Sequence, residues 1–101
     1  MKKIINGKKY DTKTAKEMGC WSNNYYCNDF NYCEETLYRK KTGEYFLYGE
    51  GGAMSKYSQS CGNMRSGGAE IILMTEAEAK KWAEKHLDCD EYEEIFGEVE
   101  E

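Results

Sequence analysis

The stretch from Tyr32 to Glu50 constrains the fold more than any other part of the chain. Tyr32–Lys40 and Glu44–Glu50 read as two strands, and Lys41-Thr42-Gly43 between them is a turn of hairpin length. In the first strand Leu37 and Arg39 fall on one face and Thr36 and Tyr38 on the other. The second is built on rings and one aliphatic: Tyr45, Phe46, Leu47 and Tyr48. A lone hairpin is marginal in water, so the rest of the chain must add strands and a cover. With 101 residues there is room for one domain. Its core must rest on ring packing, because nine Tyr, three Phe and two Trp stand against a single Val.

Local signals place the remaining elements. Lys2–Ile5 and Lys8–Tyr10 flank Asn6-Gly7, the strongest two-residue hairpin signal. Asp11 is suited to cap a helix over 12–18, with Ala15 and Met18 three apart and Gly19 at the C-terminal cap position. Residues 20–31 lack a clean period; Ser, Asn and Asp predict turns, and Trp21, Tyr25, Tyr26 and Phe30 predict a loop that packs down. Gly49–Gly68 carries six glycines and reads as a loop of about twenty residues, a length that marks functional or mobile segments. Ala69–Met74 is apolar on both faces, which predicts a central strand. Thr75-Glu76-Ala77-Glu78 is a capping box that opens a helix to about Leu87, packing by Ala79, Trp82, Ala83 and His86. Asp88-Cys89-Asp90-Glu91 predicts a second, short helix through Phe96, ended by Gly97, with Tyr92, Ile95 and Phe96 as its apolar stripe. Glu98–Glu101 should fray. The expected fold is α+β: an antiparallel sheet of about four to five strands with two or three helices on one face.

Charge is distributed unevenly. Residues 1–43 hold nine Lys/Arg against five Asp/Glu, and residues 44–101 hold five against fourteen. The last eighteen residues alone carry nine carboxylates and one Lys85. On the second helix Asp90, Glu91 and Glu94 fall opposite the apolar stripe. Neighbouring carboxylates on one helix face stand about 5–6 Å apart, an anion density comparable to that of a nucleic-acid strand. The bland reading of this stretch is a solvated acidic tail. The opposite reading of charge comes from Lys2, Lys3, Lys8, Lys9, Lys13 and Lys16 near Tyr10 and Trp21, which could meet phosphates and stack bases. Strand-edge lysines also guard against edge pairing, and the net charge of −5 weighs against direct nucleic-acid binding.

No chemistry-bearing motif stands out. Cys20, Cys27, Cys33, Cys61 and Cys89 are odd in number, with no C-x-x-C pair and a single His86. That argues for reduced thiols, and against both a disulfide framework and a zinc knuckle. Gly49-Glu50-Gly51-Gly52 follows a strand but lacks the Lys-Ser/Thr pair of a phosphate loop. Glu34 and Glu35 alternate across a strand and cannot form a same-face acid/base pair. No catalytic residue, cofactor site or metal site is therefore assigned. No run is long and apolar enough for a membrane span, and no apolar h-region follows Lys2-Lys3, so neither membrane nor export is expected.

Three blocks together resemble a known group. They are Ile4-Ile5-Asn6-Gly7-Lys8-Lys9-Tyr10-Asp11-Thr12, the hairpin Glu35–Lys40 with Gly43–Gly52, and Thr75–Ala83. The pattern resembles small proteins of phages and mobile elements in Firmicutes and gut clostridia, and it covers nearly the whole chain. Some small acidic proteins from that setting are anti-CRISPR inhibitors of the type II RNA-guided nuclease. The resemblance implies a bacterial cytoplasm and a protein partner, the host CRISPR effector nuclease. The expected function is inhibition without catalysis, an acidic DNA-mimicking surface blocking target DNA binding. The partner-binding residues expected are Glu84, Asp88, Asp90, Glu91, Glu93, Glu94 and Glu98, with Trp21, Tyr25 and Tyr26 as aromatic anchors. The alternative is a nucleic-acid-binding accessory protein of a mobile element that uses the N-terminal Lys cluster.

Overall fold

The structure, a computed structural model, describes residues 1–26, 28–62 and 64–97, the side chain of Cys61 excepted. Its order is β1 (Lys2–Ile5), β2 (Lys8–Asp11), β3 (Lys16–Ser22), β4 (Cys33–Arg39), β5 (Tyr45–Gly51), β6 (Gln59–Cys61), β7 (Met64–Ser66), β8 (Gly68–Met74), α1 (Glu76–His86) and α2 (Cys89–Phe96). The class is α+β. Strands β3-β4-β5-β8, in that order, form a four-stranded antiparallel sheet, and β1-β2 and β6-β7 are separate hairpins.

Turn chemistry explains both predicted hairpins. Asn6 and Gly7 take φ of 52° and 77°, the twist that two-residue hairpin turns need. Gly43 takes φ of 94°, and the Lys40 and Glu44 backbones close the β4–β5 turn at 2.8 Å. The two helices begin where capping predicts. The Thr75 side chain accepts from the Glu78 amide at 3.2 Å while the Glu78 carboxylate accepts from the Thr75 amide at 3.0 Å. The Asp88 carboxylate accepts from the Glu91 amide at 2.8 Å and opens α2.

Four expectations are corrected. Residues 12–18 are not a helix. Asp11 does close one turn, accepting from the Lys13 amide at 2.9 Å, but the chain then extends into β3 from Lys16. Two apolar residues in seven cannot anchor a helix, and pairing with β4 satisfies the backbone instead. Gly19 is no helix cap. A Cβ there would stand 2.8 Å from a Leu87 methyl, so the glycine admits Leu87 against the sheet. The expected loop over Gly49–Gly68 holds the end of β5, the β6-β7 hairpin and the start of β8.

The fourth correction concerns β8, which is an edge strand rather than a central one. Its double-sided apolarity has another cause: Ile72 and Met74 pack with one core cluster, Ile71 and Leu73 with another. Leu37, Tyr45, Leu47, Ala79, Trp82 and Ala83 form the first cluster, joined by Trp21, Leu87, Tyr92 and Phe96. Tyr10, Phe46 and Ile71 form the second, joined by Ile5, Ala15, Tyr38 and Tyr48. Phe46 stacks on Tyr38 at 5.3 Å and meets Tyr10 edge-on at 5.5 Å, the ring packing that the composition requires.

Candidate functional site

The expected partner-binding carboxylates are brought together in part. Leu87 and Asp88 link α1 to α2, and Glu84, Asp88, Asp90, Glu91, Glu93 and Glu94 are all exposed along this helix pair. Glu98 lies outside the described residues. Among the described residues, none of the six stands within ion-pair distance of a Lys or Arg. Three of them, Glu84, Asp88 and Glu93, rim a hollow of about 250 Å³ with Leu87, Cys89 and Tyr92. The half-buried Tyr92 and Phe96 hold α2 down, with Phe96 5.0 Å from Tyr92 and 5.8 Å from Tyr45.

This concentration costs stability. Asp90–Glu94 is a like-charge i,i+4 pair on α2, destabilising by about 0.2–0.5 kcal/mol. Asp90 and Glu91 sit well in the first turn, but no basic side chain balances the last turn of α2. A cationic surface brought against this face would relieve both.

The three aromatic anchors separate. Tyr25 and Tyr26 are 50% and 85% exposed, and Phe30 beside them 67%. Trp21 is not available in the same way. It lies in β3, half-buried against the first core cluster, with its ring 4.3 Å from His86. The sequence suggested a loop there, but its alternation with β4 turns Trp21 onto the cluster and Cys20 outward.

A buried site was not legible in the sequence. Glu35 is 1% exposed in the middle of β4. Its register neighbours are Trp21 on β3 and Gly49 on β5. A Cβ at position 49 would overlap the Tyr57 ring, so glycine alone lets Tyr57 lie across the sheet. The Tyr57 hydroxyl then donates to Glu35. The Trp82 indole donates to it at 3.2 Å, and Lys56 approaches it at 2.7 Å. His86 Nε2 stands 3.7 Å away. Burial pushes the Glu35 carboxyl up, but the bonds from Lys56, Tyr57 and Trp82 and the Lys56 charge outweigh it and hold it below the usual range. Burial and the Glu35 hydrogen bond push the Tyr57 phenol far up. Burial lowers His86 despite Glu35, so at neutral pH it is an uncharged ring between Trp21 and Trp82. A Glu in a strand signals solvent, and only a view of Gly49, Tyr57 and Trp82 together could have placed Glu35 inside. Chemically the cluster is a clamp: it fixes the 56–57 segment to the sheet and aligns α1.

The six N-terminal lysines are exposed, but two are partly neutralised. Lys8 meets Glu44 at 3.2 Å and Lys9 meets Asp11 at 3.8 Å. Among the described residues, no three His, Cys, Asp or Glu side chains gather to hold a metal, and no helix is long and apolar enough to cross a membrane. Cys20 and Cys89 are exposed free thiols, and Cys33 is a buried one. Compared with protein-family models, curated proteins and solved structures, the chain matches none.

Proposed function

We propose that this protein is a non-enzymatic inhibitor of a type II RNA-guided CRISPR nuclease, acting in the bacterial cytoplasm on behalf of a phage or mobile element. In this reading both helices share one face of the sheet, and the α1–α2 surface enters the cationic groove that otherwise receives target DNA. Glu84, Asp88, Asp90, Glu91, Glu93 and Glu94 replace phosphates, and Tyr25 and Tyr26 add apolar contacts. One observation carries the reading: six exposed carboxylates lie along two consecutive helices and the link between them, with no cationic partner among the described residues. Such a surface favours steering and specificity over raw affinity.

The test is target-duplex binding by the guide-loaded nuclease with and without this protein, at several salt concentrations. Retention of DNA is expected to fall, and less so at high salt. Replacing Asp90, Glu91, Glu93 and Glu94 by Lys should abolish the effect. Full inhibition by that variant excludes the acidic face. Binding of bare DNA by the protein alone, at moderate salt, would instead favour the Lys cluster.

A further inference from the structure

Between β5 and β8 the chain makes an excursion whose two ends stand side by side, since Gly51 and Gly68 are register partners. Its first residues are tied down: the Gly52 and Met54 amides donate to the Tyr32 and Phe30 carbonyls at 2.9 and 2.7 Å. Residues 55–58 then cross the sheet without joining it. The Ser55 amide donates to the Gly52 carbonyl and the Ser58 amide to the Ser55 carbonyl, both within the excursion. Among the described residues, no backbone hydrogen bond ties 55–58 to β4 or β5. The segment lies in a trench left open by two glycines of one face of β5. A Cβ at position 49 would overlap the Tyr57 ring, and one at position 51 would stand 2.2 Å from the Ser55 hydroxyl.

Side chains hold this segment at one point. Tyr57 is the one buried residue within 52–58, and it belongs to neither core cluster. Its hydroxyl donates to Glu35, and the Lys56 ammonium meets the same carboxylate at 2.7 Å. The Ser58 hydroxyl turns away and accepts from Arg65. Lys56 is 60% exposed, so water already reaches one side of the latch. Beneath the segment lies Cys33, 6% exposed, whose register partner is Gly51 and whose thiol feels the charges of Glu35 and Lys56. We propose that residues 55–58 are a flap latched on Glu35, which lifts off the glycine trench while the four strands stay paired and so gates access to the buried Cys33 thiol. Lifting costs no sheet hydrogen bond and leaves the paired ends at Gly51 and Gly68 in place, the conditions under which a segment opens locally. The flap does not depend on what the acidic helices bind.

Labelling of the full chain with a small thiol reagent, resolved by peptide mapping and repeated in increasing urea, tests this. The exposed Cys20 and Cys89 give the unhindered rate. Cys33 is expected to react more slowly than both, with a urea dependence well below that of global unfolding, because flap opening exposes little surface. Tyr57→Phe keeps the ring and removes the link to Glu35, and should speed labelling of Cys33 by roughly tenfold. Thr75→Ala acts at the opposite end of β8 from Gly68, through the cap of α1. It should speed hydrogen exchange of the best-protected β4 and β5 amides about fivefold while leaving Cys33 labelling unchanged. Cys33 labelling that carries the full urea slope, or that rises with Thr75→Ala, overturns the proposal, because the thiol is then reached only by unfolding. So does a rate equal to that of Cys20 and Cys89, or one that ignores Tyr57→Phe.

Discussion

At the scale of single residues, the buried Glu35 organises more of the molecule than its one position suggests. Its carboxylate collects groups from the 56–57 segment and from α1, so its loss is felt in both. Glu35→Gln keeps the volume but removes the charge that Lys56 and Tyr57 answer, and it should lower stability by about 1–3 kcal/mol in urea unfolding. An unchanged midpoint would remove the clamp from the account. Gly49→Ala should destabilise by a similar order, about 1–3 kcal/mol, since the new methyl displaces the Tyr57 ring. Its signature is increased tyrosine exposure, visible in near-ultraviolet spectra.

The same cluster sets an acid limit. His86 is held below its ordinary 6.5 and Glu35 below its ordinary 4.5, so the unfolded chain binds more protons than the fold on acidification. Stability from both groups is complete at neutral pH. It falls first below about 6.5 through His86, then below about 4.5 through Glu35. Urea midpoints from pH 7.5 downward should trace this decline, and His86→Gln should flatten its first limb. A wild-type midpoint that is constant down to pH 5 would contradict it.

At the scale of elements, the two helices are stabilised by caps and α2 is strained by its charges. Thr75→Ala removes the capping box and should cost about 1 kcal/mol, leaving binding of the nuclease intact. Glu94→Lys should do the reverse. It converts the Asp90–Glu94 repulsion into attraction and raises thermal stability slightly, while weakening the proposed inhibition. Opposite signs on the two readouts would show that this surface is kept for binding at the expense of stability. Equal signs would argue that the carboxylates serve the fold alone.

At the scale of the whole molecule, charge is segregated within a body of 49 × 33 × 20 Å. The lysine-bearing β1–β2 hairpin holds Tyr10 and Ile5 in one core cluster, and the acidic helices cap the other. Local chemistry foretold much of this. Asn6-Gly7, Lys41–Gly43, Thr75–Glu78 and Asp88–Glu91 act within four residues, so the turns and helix starts they encode survive any tertiary context. The start of the β3 region misled, because Asp11 closes a real turn that long-range pairing then overrides. The exposed carboxylates were readable from helix periodicity, and Trp21 was misplaced because its strand exists only through its pairing with β4.

What the sequence alone determined were the elements whose stabilising partners lie a few residues away: two hairpin turns, two capped helices and an acidic stripe opposite Tyr92 and Phe96. What only the tertiary structure decided were the edge position of β8, the burial of Glu35 and the space that Gly19 and Gly49 leave for Leu87 and Tyr57. Those depend on groups far apart in the chain, and no local pattern records a neighbour that arrives only when the sheet closes.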